Sequence, residues 1–314
     1  MNETSRQHLN SIAPEQARYI KLGPNNAWAP QALTNGRIEF GHADVSHALA
    51  NKGQWDEVKR CWEGKTSASK ASDFLREVKD FYTLGEECLW ITFAQGRMFW
   101  AFAAPQVTLN TQSSTSIGSR YRDVVDGWRC TDIYGRELIF EDISTKLTKT
   151  AAYRQTLCNI KAEDYAIRLI NGEEEPSVIE AKAARAAYIN ALLPIIQSLH
   201  QSDFEVLTDL LFSKLGWVRI NGLGGHQKDT DLVLEQPATG SRALVQVKSA
   251  ANQAVLDDYA ERFSRIPNDI AIVVCHSPRG KLTPPANLKL WDGPLLAERV
   301  VQAGLADWVF KRAG

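Results

Sequence analysis

Cysteine is scarce in this chain and never clustered. Cys61, Cys88, Cys130, Cys158 and Cys275 are scattered with no Cys-x-x-Cys among them, which argues against a zinc ribbon or a disulfide scaffold. Free thiols in or beside apolar runs are expected to pack as small hydrophobes. His8, His42, His47, His200 and His276 show no zinc spacing. No apolar run is long enough to cross a bilayer, and the start Met1-Asn-Glu-Thr-Ser-Arg-Gln7 lacks the apolar core of a signal peptide. A reducing cytoplasm and no membrane partner are therefore expected. An excess of one charge is missing too. Lys and Arg number 36 against 37 Asp and Glu, a formal net charge of −1. No global attraction to nucleic acid follows from that balance, so contact with DNA has to come from a local basic patch.

What is present is an ordinary globular composition, 44% apolar and 23% charged over 314 residues. That length suffices for two domains and a sizeable core. Residues 1–14 are polar and read as a loose tail, 15–160 as a strand-rich α+β recognition domain, 161–198 as a helical connector, and 199–314 as an α/β domain. In the first domain, strands are expected at 19–22 and 37–40 and helices at 46–52, 55–61 and 72–82. A hairpin, 88–93 with 97–103, turns at Ala94-Gln-Gly96. Further strand-like material lies at 121–129 and 138–140, 151–160 reads as a strand or the start of a helix, and the polar stretch 110–116 reads as a surface loop. Residues 177–200 carry a long helical pattern that Pro194 should kink or interrupt.

The most informative stretch is Asp229-Thr-Asp231-Leu-Val-Leu-Glu235, then a Pro237-Ala-Thr-Gly240 turn, then Ala243-Leu-Val-Gln246-Val-Lys248. It reads as two adjacent strands. Residues two apart in a strand share a face, so Gln246 and Lys248 point one way and Val245 and Val247 point into the core. An oxygen pair from Asp231 and Gln246, beside the Lys248 cation, can hold a hard metal ion next to a phosphate. The bland readings are an Asp ending a turn, a polar residue on an exposed strand face and a solvated lysine. Asp229 is a weaker second acid and more often caps the turn. Gln246 supplies an amide oxygen without negative charge, which implies a weaker metal site, more dependent on the substrate phosphate. Upstream, Ser202-Asp-Phe-Glu205 reads as a capping box, with Phe204, Leu207, Leu211 and Leu215 as the apolar face. Glu205 is the alternative member of the metal site.

This order of helix, strand, strand with Gln-x-Lys, helix and strand resembles the PD-(D/E)XK nucleases, most closely their Mrr-like restriction endonuclease branch. The resemblance runs over about 200–312, from Asp203-Phe-Glu205 through Asp231 and Gln246-Val-Lys248 to Ile270-Ala-Ile-Val-Val-Cys275 and Leu290-Trp-Asp-Gly293. It implies a mixed sheet flanked by helices and a Mg²⁺-dependent DNA endonuclease, with Mn²⁺ able to substitute. Asp231, Gln246 and the Val247 carbonyl would hold the ion, and Lys248 would stabilise charge on the phosphate. It also implies a restriction or phage-defence role and, because cutting two strands takes two sites, a homodimer. His226 and Lys228, in a loop whose Gly222-Leu-Gly-Gly225 lacks a P-loop ending, are candidate DNA contacts, as are Arg262 and Arg265. Ordinary helix-surface arginines explain the last two as well.

The first domain resembles the PUA-like fold of modified-base readers, such as EVE and SRA domains, on its Trp-rich strands and Gly85-Glu-Glu-Cys-Leu-Trp90. An aromatic cage for a flipped base is the functional reading and core packing the bland one. Alternation singles out Trp90 as the exposed candidate, followed by Trp28 in its Gly-Pro-Asn loop. Three alternatives stay open: a catalytically degenerate nucleic-acid-binding protein, a repair or processing nuclease acting on structured DNA or RNA, and a nuclease switched on by a small signalling molecule.

Overall fold

The computed structural model describes residues 10–111, 116–220 and 230–314. Two compact units divide the chain, Met1–Glu175 and Pro176–Gly314. Both are mixed α/β, as expected. Among the described residues, no helix is long and apolar enough to cross a membrane.

The first unit contains β1 (Gln16–Ile20), α1 (Ala29–Asn35), β2 (Arg37–Phe40), α2 (His47–Asn51), α3 (Trp55–Arg60), α4 (Ala68–Thr83), β3 (Cys88–Ala94), β4 (Arg97–Leu109), β5 (Arg120–Arg129), α5 (Thr145–Thr148), β6 (Leu157–Asn159) and α6 (Glu163–Ile170). Its sheet runs β2-β5-β4-β3-β1-β6. β1 and β3 are parallel and the other neighbours antiparallel. Gln95 and Gly96, at φ 51° and 71°, make the β3–β4 turn. Two left-handed residues match the twist of the flanking strands there.

Hydrophobic clusters cover both faces of this sheet. Ile38, Phe40, Trp90 and Val107 pack with side chains from α1 to α4. Leu89, Ile91, Phe93 and Met98 pack on the other side with Leu147, Ala166 and Ile170. The alternation argument for Trp90 assumed one wet face, and that assumption fails: Trp90 is fully buried, as are Leu89 and Ile91. Arg122 is also fully buried, and its guanidinium donates to the carbonyls of Ala103 and Ala104, at 3.1 and 2.7 Å, where β4 departs from the β5 register. Burial pushes its pKa down to about 10, so it stays charged at neutral pH.

Residues 138–140 do not form a strand of their own. Ile139 makes a single bridge to Arg97, and Phe140 begins a short 3₁₀ turn. The polar stretch 110–116 falls partly outside the described residues. Residues 161–198 divide between the units instead of standing apart as a connector. α6 buries Ala166 and Ile170 in the first unit, while Leu192 and Ile196 of α7 (Pro176–Gln197) join the core of the second. The tail is tied down at least from Ile12, whose backbone N–H donates to Asn171 Oδ1 at 2.8 Å and whose carbonyl accepts from Asn171 Nδ2 at 3.0 Å.

The second unit continues from α7, which carries Pro194 without interruption, through α8 (Gln201–Lys214), β7 (Val218–Arg219), β8 (Leu232–Gln236), β9 (Ser241–Ala251), α9 (Gln253–Ser264), β10 (Ile270–Pro278), β11 (Lys289–Trp291), α10 (Gly293–Gln302) and α11 (Ala306–Ala313). The sheet order is β11-β10-β9-β8-β7. β9, β10 and β11 are parallel, and β8 and β7 run antiparallel to their neighbours. Leu232, Leu234, Val245 and Val247 enter a cluster with Phe204, Leu207 and Leu296. Leu244 and Val273 enter a second cluster with Leu256 and Phe263 of α9. The sheet is thus buried on both faces, and β9 reads as a near-continuous apolar run for that reason.

Candidate active site

β8 and β9 pair from Leu232↔Val245 to Gln236↔Ser241. The turn between them closes at Gly240, whose N–H donates to the Gln236 carbonyl at 2.8 Å. At the open end Asp231 makes the last backbone bond, its N–H donating to the Val245 carbonyl at 3.2 Å. β9 continues for six residues past Val245, so its backbone there lacks a β8 partner. The Asp231 carboxylate fills the first vacancy. Its Oδ2 accepts from the Val247 N–H at 2.8 Å and from the Gln246 side-chain amide. Thr230 Oγ1 closes the corner, 3.1 Å from the carbonyls of Leu232 and Val245.

Gln246 is 3% exposed. It meets Asp231 through its amide nitrogen, so ligation by its oxygen on the same side would require the amide to turn over. Val247 contributes its N–H to Asp231 while its side chain enters the core. Lys248 is half-buried, with its ammonium 5.5 Å from the centre of the Tyr259 ring of α9, and its charge is felt at Asp231. Burial pushes the Asp231 carboxyl above the usual carboxylate range. The Val247 N–H, Lys248 and Gln246 pull the other way, and the negative charge of Glu205 pushes it up further.

That coupling brings Glu205 to the site, although the capping box does not form. α8 starts two residues earlier than the box requires. His200 is the N-cap, its Nδ1 accepting from the Ser202 N–H at 3.3 Å, so Ser202 lies inside the helix. Glu205 Oε1 instead accepts from Gln201 Nε2 at 3.2 Å.

Arg262 lies 5.4 Å from the centre of the Tyr259 ring that Lys248 also faces, whereas Arg265 is not drawn toward it. Each pairs with the carboxylate one turn back, Asp258 and Glu261 respectively, at the end of α9 that leads into the start of β10. Lys248 is level with Cys275, near the other end of β10. His226, Lys228, Asp229 and the Gly222-Leu-Gly-Gly225 loop lie outside the described residues.

His276 is buried on β10, edge-on to Phe204 at 4.5 Å. Its Nδ1 lies 2.9 Å from Ser277 Oγ and its Nε2 has no hydrogen-bond partner. Burial lowers its pKa, so the ring is neutral. Arg219 was not foreseen. Its guanidinium donates to the Asp231 carbonyl at 3.2 Å and lies 3.7 Å from Asp209 of α8, tying the corner to that helix. Side-chain types gave no signal for it, because the contact is to backbone.

In the first unit Trp90 has no route to solvent, and its Nε1 is buried without a partner. Trp28 is half-buried and lies flat on Gly23. A Cβ at Gly23 would come within 2.3 Å of the indole, and the residue sits at φ 81°, so glycine is required twice over. Buried as it is, Trp90 is not an open stacking platform. Among the described residues, no three His, Cys, Asp or Glu side chains converge to hold a metal ion. No protein-family model, curated protein or solved structure matches the chain.

Proposed function

We propose that residues 176–314 are a Mg²⁺-dependent DNA endonuclease of the PD-(D/E)XK type, in its Mrr-like branch, and that residues 10–175 are a recognition module of PUA-like character. The observation that carries this reading is the Asp231 carboxylate, held at the end of the β8–β9 ladder by Val247 and Gln246, with Lys248 on the same strand within electrostatic reach. Mg²⁺ commonly binds through one or two carboxylates, with water and substrate phosphate completing its shell. Asp231, Glu205 and the Val247 carbonyl would meet that modest requirement, joined by the Gln246 oxygen once its amide turns over. Once bound, the ion would polarise the phosphate and the attacking water. Lys248 would donate to the phosphate oxygens as negative charge develops on them. The helix starts at α9 and α10, which follow directly from β9 and β11, add positive dipole ends at this end of the sheet. Cutting both strands needs two copies of the site, hence a homodimer on DNA. A restriction or phage-defence role follows from the same family reading.

The test is Mg²⁺-dependent cleavage on a panel of unmodified, base-modified and branched DNA and of RNA. Preference for modified duplex DNA supports the reading, and preference for branched DNA or RNA assigns a processing nuclease instead. One observation favours a second reading. Gln246 presents its amide nitrogen to Asp231, so the carboxylate is satisfied without a cation, as in a binding module that has lost hydrolysis. Tight DNA binding with no cleavage in Mg²⁺ or Mn²⁺ would select it.

A further inference from the structure

Lys248 rests on an aromatic ring and not on the carboxylate beside it. Gln246 and Lys248 project from the same face of β9, and Gln246 reaches the Asp231 carboxylate with its amide. The Lys248 ammonium carries three donors on a flexible four-carbon stem, and its charge is felt at Asp231. Among the described residues, however, Lys248 makes no hydrogen bond and no ion pair. What it meets is the Tyr259 ring of α9, whose centre lies 5.5 Å from the ammonium. The negative face of such a ring attracts a cation within about 6 Å.

Tyr259 is fixed in place for this contact. It is buried in the cluster that Leu244, Leu256, Phe263 and Val273 share, and the Phe263 ring stands 5.6 Å away at a tilt of 46°. Arg262 is a second cation on the same ring, 5.4 Å from its centre. Its guanidinium is drawn back by Asp258, at 3.0 Å from Nε and 2.9 Å from Nη2, so the charge is answered there and the ring is left to Lys248. Without the ring, the best partner within reach of Lys248 would be the Asp231 carboxylate. That pair would put an ammonium where the proposed metal ion binds and would occupy its donors. We infer that Tyr259 is a positioning residue of this site: its ring keeps the Lys248 ammonium off Asp231, with N–H donors open to a phosphate oxygen. A charge-assisted hydrogen bond to phosphate is stronger than the ring contact, so the lysine leaves the ring when the substrate arrives. The inference rests on the nuclease reading and adds how its lysine is held ready.

Two measurements on the full-length protein test this, and the first needs no cleavage. In protein whose lysines carry carbon-13 at Cε, the signal lost in Lys248→Met identifies Lys248. The ring current should place its ε-protons upfield of those of exposed lysines, in the wild type and in Tyr259→Phe but not in Tyr259→Leu. The second is plasmid cleavage in Mg²⁺, with thermal unfolding as the check on folding. Tyr259→Phe should cleave as the wild type does. A trifluorinated phenylalanine in place of Tyr259 keeps the shape but drains the negative face, and should be slower by roughly tenfold. Tyr259→Leu should slow the wild type and have no further effect in a Lys248→Met background, whereas a merely structural loss would slow both. An unshifted Lys248 in the wild type, or a fluorinated variant as fast as Tyr259→Phe, would overturn the inference. A shifted Lys248 in a wild type that does not cleave would overturn the nuclease reading instead, with the ring still shown to hold the lysine.

Discussion

Asp231 is a carboxylate kept where burial disfavours its charge. Its folded pKa lies above the ordinary 3.8, desolvation being the largest cause. A group raised in this way contributes stability below its unfolded pKa and loses that contribution as pH rises through its folded pKa. Ionised Asp231 is therefore a liability to the fold at pH 8, of the kind functional sites retain. Asp231→Asn is expected to raise the thermal midpoint at pH 8, with the gain shrinking at pH 3.5, and to abolish cleavage. A lower midpoint at pH 8 would count against this. Gln246→Glu restores a negative ligand, so half-saturating Mg²⁺ in a cleavage titration should fall roughly tenfold. No change would mean that Gln246 is not a ligand. Gln246 and Lys248 were legible as a pair because the strand period fixes them. Arg219 was not, because backbone carbonyls leave no trace in side-chain patterns.

At the scale of elements, strands and helices were legible where local chemistry agreed with packing. The hairpin at Gln95-Gly96 and the β8–β9 turn both carry glycine where the backbone turns left-handed. Trp90 shows where this stops: alternation assigns two faces but cannot say that both are covered. With its side chain in the core, Trp90→Ala should cost about 3–5 kcal/mol by denaturant unfolding and should leave no separate signature in base preference. The start of α8 shows a second limit. Ser202-x-x-Glu205 matched a capping box, but His200 caps the helix two residues earlier. Pro194 shows a third. α7 runs through it to Gln197 although proline removes a helix hydrogen bond, so the packing of Leu192 and Ile196 outweighs the local cost. Pro194→Ala should then stabilise the second unit by up to about 3 kcal/mol, and a destabilised variant would show that the proline ring itself is needed for packing.

The whole molecule comprises two units, each with a sheet buried on both faces. The mixed α/β class was legible from alternating strand and helix patterns. Gly172-Glu-Glu-Glu-Pro176 reads as a break in the chain, and the units divide there, but the assignment of the helices on either side of it to different cores was not legible, because a helical pattern does not say which core it covers. Separate cores imply separate transitions on heating: Trp90→Ala should lower only one, and Asp231→Asn should raise only the other. A single calorimetric transition moved by both would contradict that independence. The central claim concerns the chemistry of the second unit, and plasmid cleavage tests it most directly. Supercoiled DNA should be nicked or linearised by the wild type in Mg²⁺ and protected by EDTA. Lys248→Ala, which removes the proposed charge stabilisation, should be slower by about 10²–10³-fold at an unchanged thermal midpoint. Equal rates for wild type and Lys248→Ala, or cleavage that persists in EDTA, would contradict it.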